Sequence, residues 1–178
     1  LQFLSITASF ASMIQIQTAK PEELAIIRKI AYETWPSAYS SILSPAQIDY
    51  MLDKMYDLKT LEDQLTEQGH VFLLATQNKI PLGFAGFQLN SPIPNSAKLH
   101  KIYLLPQAQG KGIGKLLIQE VLGLSKSGNQ ESIMLNVNKF NQQAIRFYES
   151  QGFEESYREV IDIGGGYVMD DLVLKYDL

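Results

Sequence analysis

Two short stretches of this chain carry residue types and spacings that can do chemistry. The first is Gln109-Gly110-Lys111-Gly112-Ile113-Gly114-Lys115. Before it, Leu99 to Leu105 is rich in aliphatic and aromatic residues and stops at Pro106; after it, Leu116, Leu117, Val121 and Leu122 recur at helical spacing. A strand, a glycine-rich turn and a helix start together make an anion site. Glycines let the backbone approach a ligand, and the unpaired N–H groups of the first helical turn point at it. The ligand this predicts carries phosphate. The second stretch runs from Asn138 to Phe153, where Asn141 is a helix N-cap, Gly152 ends the helix, and Ala144 and Tyr148 share one face. It offers a tyrosine, a residue able to donate a proton.

Elimination narrows the phosphate ligand. A nucleoside-triphosphate loop of the G-x-x-x-x-G-K-[ST] type would need glycine at 109 and Ser or Thr at 116, where this chain has Gln109 and Leu116. The dinucleotide pattern G-x-G-x-x-G fails in both registers, because Lys115 and Leu117 occupy the third glycine's place. What remains is Q-x-x-G-x-G, on Gln109, Gly112 and Gly114. This resembles the pyrophosphate loop of the GNAT superfamily of N-acetyltransferases, and Asn141…Ala144…Tyr148…Gly152-Phe153 is similar to that family's N-x-x-A-x-x-x-Y…G-F segment.

The resemblance implies an α+β fold around a central, twisted mixed sheet of six to seven strands flanked by helices, splayed in the middle to admit the cofactor. It implies acetyl-CoA as cofactor, bound by Gln109 to Lys115 at the diphosphate and by Ile102, Tyr103, Leu104, Asn136, Asn141, Ala144, Phe147 and Tyr148 along the pantetheine. Catalysis would be direct attack of a primary amine on the acetyl carbonyl. A backbone N–H near Leu104 would stabilise the oxyanion and Tyr148 would protonate the departing thiolate. Where many relatives carry an acid on the fourth strand this chain has His100-Lys101, so His100 is the candidate base, with an ordinary pKa near 6.5.

The acceptor must meet the first two helices and the last hairpin. Tyr32, Trp35, Tyr39 and Tyr50 offer aromatic walls there, and Asp170 and Asp171 offer carboxylates. Trp35, Tyr39 and Asp170 are the substrate candidates for a cationic small amine, such as a polyamine or an amino acid. A protein N-terminal acetyltransferase and a non-catalytic acyl-CoA sensor remain alternatives. Pairing of two copies through the C-terminal strands is a further expectation from the resemblance.

These residues need a frame. Ile14-Gln15-Ile16-Gln17 alternates as a strand, Pro21 opens a helix with Leu24, Ile27 and Ala31 on one face, and Ser44-Pro45-Ala46-Gln47 starts a second. Thr60 is read as the cap of a third helix through Glu67. Strands follow over 71–77, 82–90, 97–105 and 133–137, then 154–163 and 167–176 joined at Gly164-Gly165-Gly166. One domain over residues 13–178 is expected, preceded by an extension at residues 1–12 that lacks the positive start of a signal peptide. The net charge of −4 gives no footing for nucleic acid or anionic membrane. The absence of cysteine excludes disulfides and thiolate metal sites and fits a reducing cytoplasm, the expected location.

Overall fold

The computed structural model describes residues 13–178, and the extension expected at 1–12 lies outside the described residues. The elements in order are β1 (Gln15–Thr18), α1 (Leu24–Tyr39), α2 (Pro45–Tyr56), α3 (Leu58–Thr66), β2 (His70–Gln77), β3 (Ile80–Gln88), β4 (Ser96–Leu104), α4 (Ile113–Ser127), β5 (Ser132–Asn138), α5 (Gln142–Ser150), β6 (Glu154–Gly164) and β7 (Tyr167–Asp177). The strands form one sheet in the order β1-β2-β3-β4-β5-β7-β6. Only β4 and β5 run parallel, as the intervening α4 crossover requires.

Alternation along the strands sorts the helices onto the two faces. Tyr103 of β4 meets Trp35 of α1 and Tyr56 of α2, and Lys101, two residues earlier, reaches Gln64 of α3. Leu104 points the other way and lies against Gly114 of α4. So α1, α2 and α3 cover one face and α4 the other. Leu24, Ile27 and Ala31 are buried as their spacing predicts, together with Ile48 and Leu52 of α2.

Local chemistry explains most boundaries. The Ser44 hydroxyl accepts from the Gln47 N–H and Pro45 takes the first helical position. The third helix starts earlier than its threonine suggests. Asp57, not Thr60, is the cap, its carboxylate accepting from the Lys59 N–H. Asn78 and Lys79, both left-handed at φ 51° and 64°, close the β2–β3 hairpin in two residues. The strand ends otherwise differ from the expected limits by one or two residues, as helix and strand ends commonly do.

Two departures from regular pairing create the site. The parallel pairing of β4 with β5 runs only from Ser96↔Ser132 to Leu99↔Leu135. Beyond it, β5 continues with β7 (Asn136↔Val173 to Asn138↔Asp171) while β4 continues with β3, so the sheet splays. At the point of divergence β4 bulges. Gly86 faces Lys101 and Phe87 faces Leu99, leaving His100 without a partner on β3.

Candidate active site

The splay opens a groove of about 610 Å³ between β4 and α5, running from the loop before α4 to Tyr148. Gly110 and Gly112 sit at φ 71° and 77°, and a Cβ added at either would meet nothing within 4 Å. Gly112 caps α4 with no side chain on its first-turn N–H groups. The helix therefore presents open donors, with its positive dipole end, to a space that any other residue would strain to border. Gly114 has a different job: its missing side chain admits the Phe147 ring, which a Cβ would approach to 3.1 Å. Lys115 and Ile113 line the same end, whereas exposed Lys111 does not border the groove. The Gln109 amide donates back to the Leu104 carbonyl at 3.3 Å, tying the loop to the strand.

The β4 edge forms the groove's floor. The Leu105 N–H donates to Leu82 on β3. Successive strand N–H groups alternate in direction, so those of Leu104 and Ile102 face the open side. On the opposite wall, the Asn141 side chain accepts from the Ala144 N–H, starting α5 and setting Ala144, Phe147 and Tyr148 against the groove. The Tyr148 ring packs against Phe147 and Phe153, with centroids 5.4 and 5.9 Å away, and its hydroxyl has no protein partner among the described residues. Burial, and secondarily Tyr39, raises its pKa above the usual 10, so the phenol is protonated at neutral pH.

A second cavity of about 460 Å³ lies on the α1–α3 side. It shares Tyr39, Leu99, His100, Tyr103 and Asn136 with the groove, so the two meet at the bulge. The Tyr39 and Tyr103 hydroxyls are 3.1 Å apart in the dividing wall. Trp35, 2% exposed, packs against Tyr39 with ring centres 4.7 Å apart and lines the second cavity. Helix α2 closes over it: Gln47 donates to the Val168 carbonyl at 3.2 Å and Tyr50 to the Ile163 carbonyl at 2.9 Å. Tyr32, by contrast, is outside both spaces, bonded to Asp53 at 2.8 Å.

Three expectations are corrected by this geometry. Asp170 points away from the cavities and pairs with Lys139, while strand alternation turns its neighbour Asp171 inward. Asp171 is fully buried, and one carboxylate oxygen, Oδ1, has no hydrogen-bond partner among the described residues. The other, Oδ2, accepts from Asn136 at 3.3 Å. The same Asn136 amide donates to Glu159 at 2.5 Å and accepts from Lys98, so Asn136 joins the two walls as well as bordering the groove. Burial raises the Asp171 pKa, against the lowering influence of Asn136 and Lys98. His100 is the second correction. Its ring is exposed on the cavity side and stacked on His70 at 4.5 Å, with a 3.3 Å contact to Gln88. Burial, then His70, then Lys101 and Lys98, push its pKa down to about 3, too weak to take a proton from an ammonium group. Third, Leu104 lies at the loop end of β4 against Gly114, whereas the cavities meet at Leu99, His100 and Tyr103. Of the two donors that alternation turns to the open side, that of Ile102 is two residues nearer the junction than that of Leu104.

Sequence reasoning noticed Asp171 only as a hairpin acid and passed over Lys98 and Glu159, which are separated from it by 73 and 12 positions. The available signal was the alternation of β7, which puts Asp171 on the side of Met169 and Val173.

A splayed mixed sheet with an open, glycine-bordered helix start at one end of the splay and a protonated tyrosine at the other fits an acyltransferase. The chain belongs to the acetyltransferase (GNAT) family, whose model matches residues 25–153. It is 27% identical over 145 residues to the spermidine N(1)-acetyltransferase of Thermoplasma acidophilum, covering 79% of this chain and 88% of that one. A peptidyl-lysine N-acetyltransferase of Salmonella typhimurium is 27% identical over 118 residues, 66% of this chain and 73% of its own. Among solved structures, the PaiA N-acetyltransferase of Thermoplasma acidophilum in complex with coenzyme A matches with a TM-score of 0.77 and 25% identity, covering 93% of this chain and 99% of that one. The cofactor of the family is acetyl-CoA, and the open cradle at Gly110 and Gly112 with the unpaired β4 edge fits it. No helix among the described residues is long and apolar enough to cross a membrane.

Proposed function

We propose that this protein acetylates the primary amine of a small molecule, with acetyl-CoA in the β4–α5 groove and the amine in the second cavity. The carrying observation is the meeting of the two spaces at Tyr39, Leu99, His100, Tyr103 and Asn136, beside the β4 bulge. Similarity to a spermidine N(1)-acetyltransferase over most of both chains supports a small acceptor. So does the closure of α2 onto the β6–β7 hairpin through Gln47 and Tyr50, which roofs the acceptor cavity where an extended peptide would need an open channel.

Acetyl-CoA supplies an activated acetyl carbonyl and a thiolate leaving group. The α4 N-terminus holds the diphosphate through the N–H groups following Gly112, and the β4 edge aligns the pantetheine amides as a strand would. The Ile102 N–H, open to the groove, would stabilise the charge growing on the carbonyl oxygen. Asp171, a buried carboxylate with a pKa raised by its surroundings and one oxygen without a partner among the described residues, takes the proton of the incoming ammonium. Tyr148 would give its proton to the departing sulfur and regain one from the newly acylated nitrogen. Holding both reactants at one junction provides much of the rate.

The test is thiol release from acetyl-CoA against a panel of small amines, amino acids and N-terminal peptides; the chain has no cysteine to confuse the signal. Turnover of small amines with peptides inert is the expected result. Turnover confined to peptides would make this a protein acetyltransferase. Calorimetric binding of acetyl-CoA without turnover of any acceptor would leave an acyl-CoA sensor.

A further inference from the structure

The acceptor cavity is electrically lopsided. One end carries Asp171 and Glu159 around Asn136, whose side-chain oxygen accepts from Lys98. At the other end stands Lys101, only 4% exposed. Its ammonium donates to the Gln64 side chain at 3.0 Å and lies 5.5 and 5.8 Å from the ring centres of Tyr56 and Phe72. Among the described residues it has no carboxylate within ion-pair distance, unlike the five pairs found elsewhere on the protein. Burying a charge without a counter-ion is costly, and proteins ordinarily pair such a group. Here the groups beside it on the same wall are His70 and His100, both held neutral, and Lys101 contributes to that in each. Burial alone pulls the lysine itself down, to about 8. The acids act on Lys98 but not on Lys101. Residues 98 and 101 are three strand positions apart, roughly 10 Å less the contraction at the bulge.

We propose that Lys101 receives an anionic group of the acceptor, so that the amine acetylated here is an amino acid or similar amino-carboxylate and not a polyamine. This rests on the small-molecule reading above and specifies its substrate. The ammonium end of such a molecule meets Asp171 and Glu159, next to the junction with the groove. Its carboxylate supplies the counter-ion that the fold withholds from Lys101. A polyamine would instead place a second cation beside a buried lysine and two imidazoles, a like-charge contact in a poorly solvated space. Gln64 and the Tyr56 and Phe72 rings flank the Lys101 ammonium, so the charge is positioned before the ligand arrives.

The test compares matched amines that differ by one anionic group: lysine with cadaverine, ornithine with putrescine, phenylalanine with phenethylamine, and phosphoethanolamine with ethanolamine. Wild-type kcat/KM is expected to be at least ~10-fold higher for the carboxylated member of a pair, each factor of ten being 1.4 kcal/mol. Lys101→Met, which keeps the volume and removes the charge, should erase that preference by lowering the carboxylated member alone. Preference for the decarboxylated amines in the wild type overturns the proposal without any variant. An equal loss on both members in Lys101→Met overturns it too, since that marks a structural lysine. Preference confined to phosphoethanolamine would overturn the carboxylate and leave phosphate as the anion. If acetyl-CoA binds but no small amine reacts, the small-molecule reading itself falls, an outcome distinct from turnover without charge preference.

Discussion

Replacing Tyr148 with phenylalanine removes one oxygen and nothing else that the fold uses. The ring is 8% exposed and wedged between Phe147 and Phe153, contacts a phenylalanine keeps. Among the described residues the hydroxyl has no hydrogen bond to lose. Stability should therefore change by no more than ~1 kcal/mol, a Tm shift within about 4 °C for a chain of this size. The groove's walls and the α4 cradle are untouched, so calorimetric affinity for acetyl-CoA should stay within about threefold. Turnover is another matter. Unlike the Tyr39 and Tyr103 hydroxyls, which bond to each other, the Tyr148 phenol has no partner among the described residues, and its raised pKa keeps it protonated at neutral pH. A general acid contributes ~10²–10⁴-fold, so kcat in the thiol-release assay should fall by at least ~10², near 3 kcal/mol of barrier. A kcat within threefold of wild type would refute the assignment. A Tm loss beyond ~8 °C would show that the hydroxyl is structural and that its environment has been misjudged.

Gly112→Val should weaken acetyl-CoA binding by at least ~30-fold in calorimetry, because φ of 77° strains a β-branched residue and its side chain would stand in the open cradle. Asp171→Asn should lower kcat/KM ~10²-fold for amine acceptors with little change in acetyl-CoA affinity. The same variant has a stability signature. Burial raises the Asp171 pKa above its unfolded value, so the native state favours the protonated form, and the penalty for charging it grows as pH rises through the folded pKa. Thermal melts should show Asp171→Asn gaining over wild type at pH 7–8 and losing that advantage below about pH 4. The stacked histidines act in the opposite sense. His70 and His100 are pushed down to about 4 and about 3, so on acidification below their unfolded value of ~6.5 the unfolded chain takes up protons that the native state refuses. Wild-type stability should decline from pH 6.5 toward 4, and the decline should be shallower in His70→Gln/His100→Gln.

Much of this protein was legible along the chain because it is written in local chemistry. The caps at Ser44 and Asn141, the apolar faces of the helices and the turn glycines each act within a few residues, where sequence spacing and spatial neighbourhood coincide. The phosphate cradle belongs to the same category: it needs only a strand, a Gly-rich turn and a helix start in succession. The roles of the fourth strand were not legible in that way. A single bulge at His100 shifts which of His100, Lys101 and Ile102 faces which space, and it depends on the β3 register rather than on any residue in β4 alone.

The sequence by itself determined most of the elements, the glycine-rich loop and the family, because these depend on contacts between near neighbours in the chain. Only the tertiary structure decided the acceptor side. Lys98, Lys101, Asn136, Glu159 and Asp171 come from four strands and meet through the splay of β4 from β5 and the pairing of β5 with β7. Whether a carboxylate is Asp170 on the surface or Asp171 in the cavity is one step along a strand, and period-two alternation turns that step into opposite faces. Charge states follow from the same packing: a histidine becomes a poor base and a lysine loses its counter-ion because of what surrounds them after folding, which no spacing along the chain encodes.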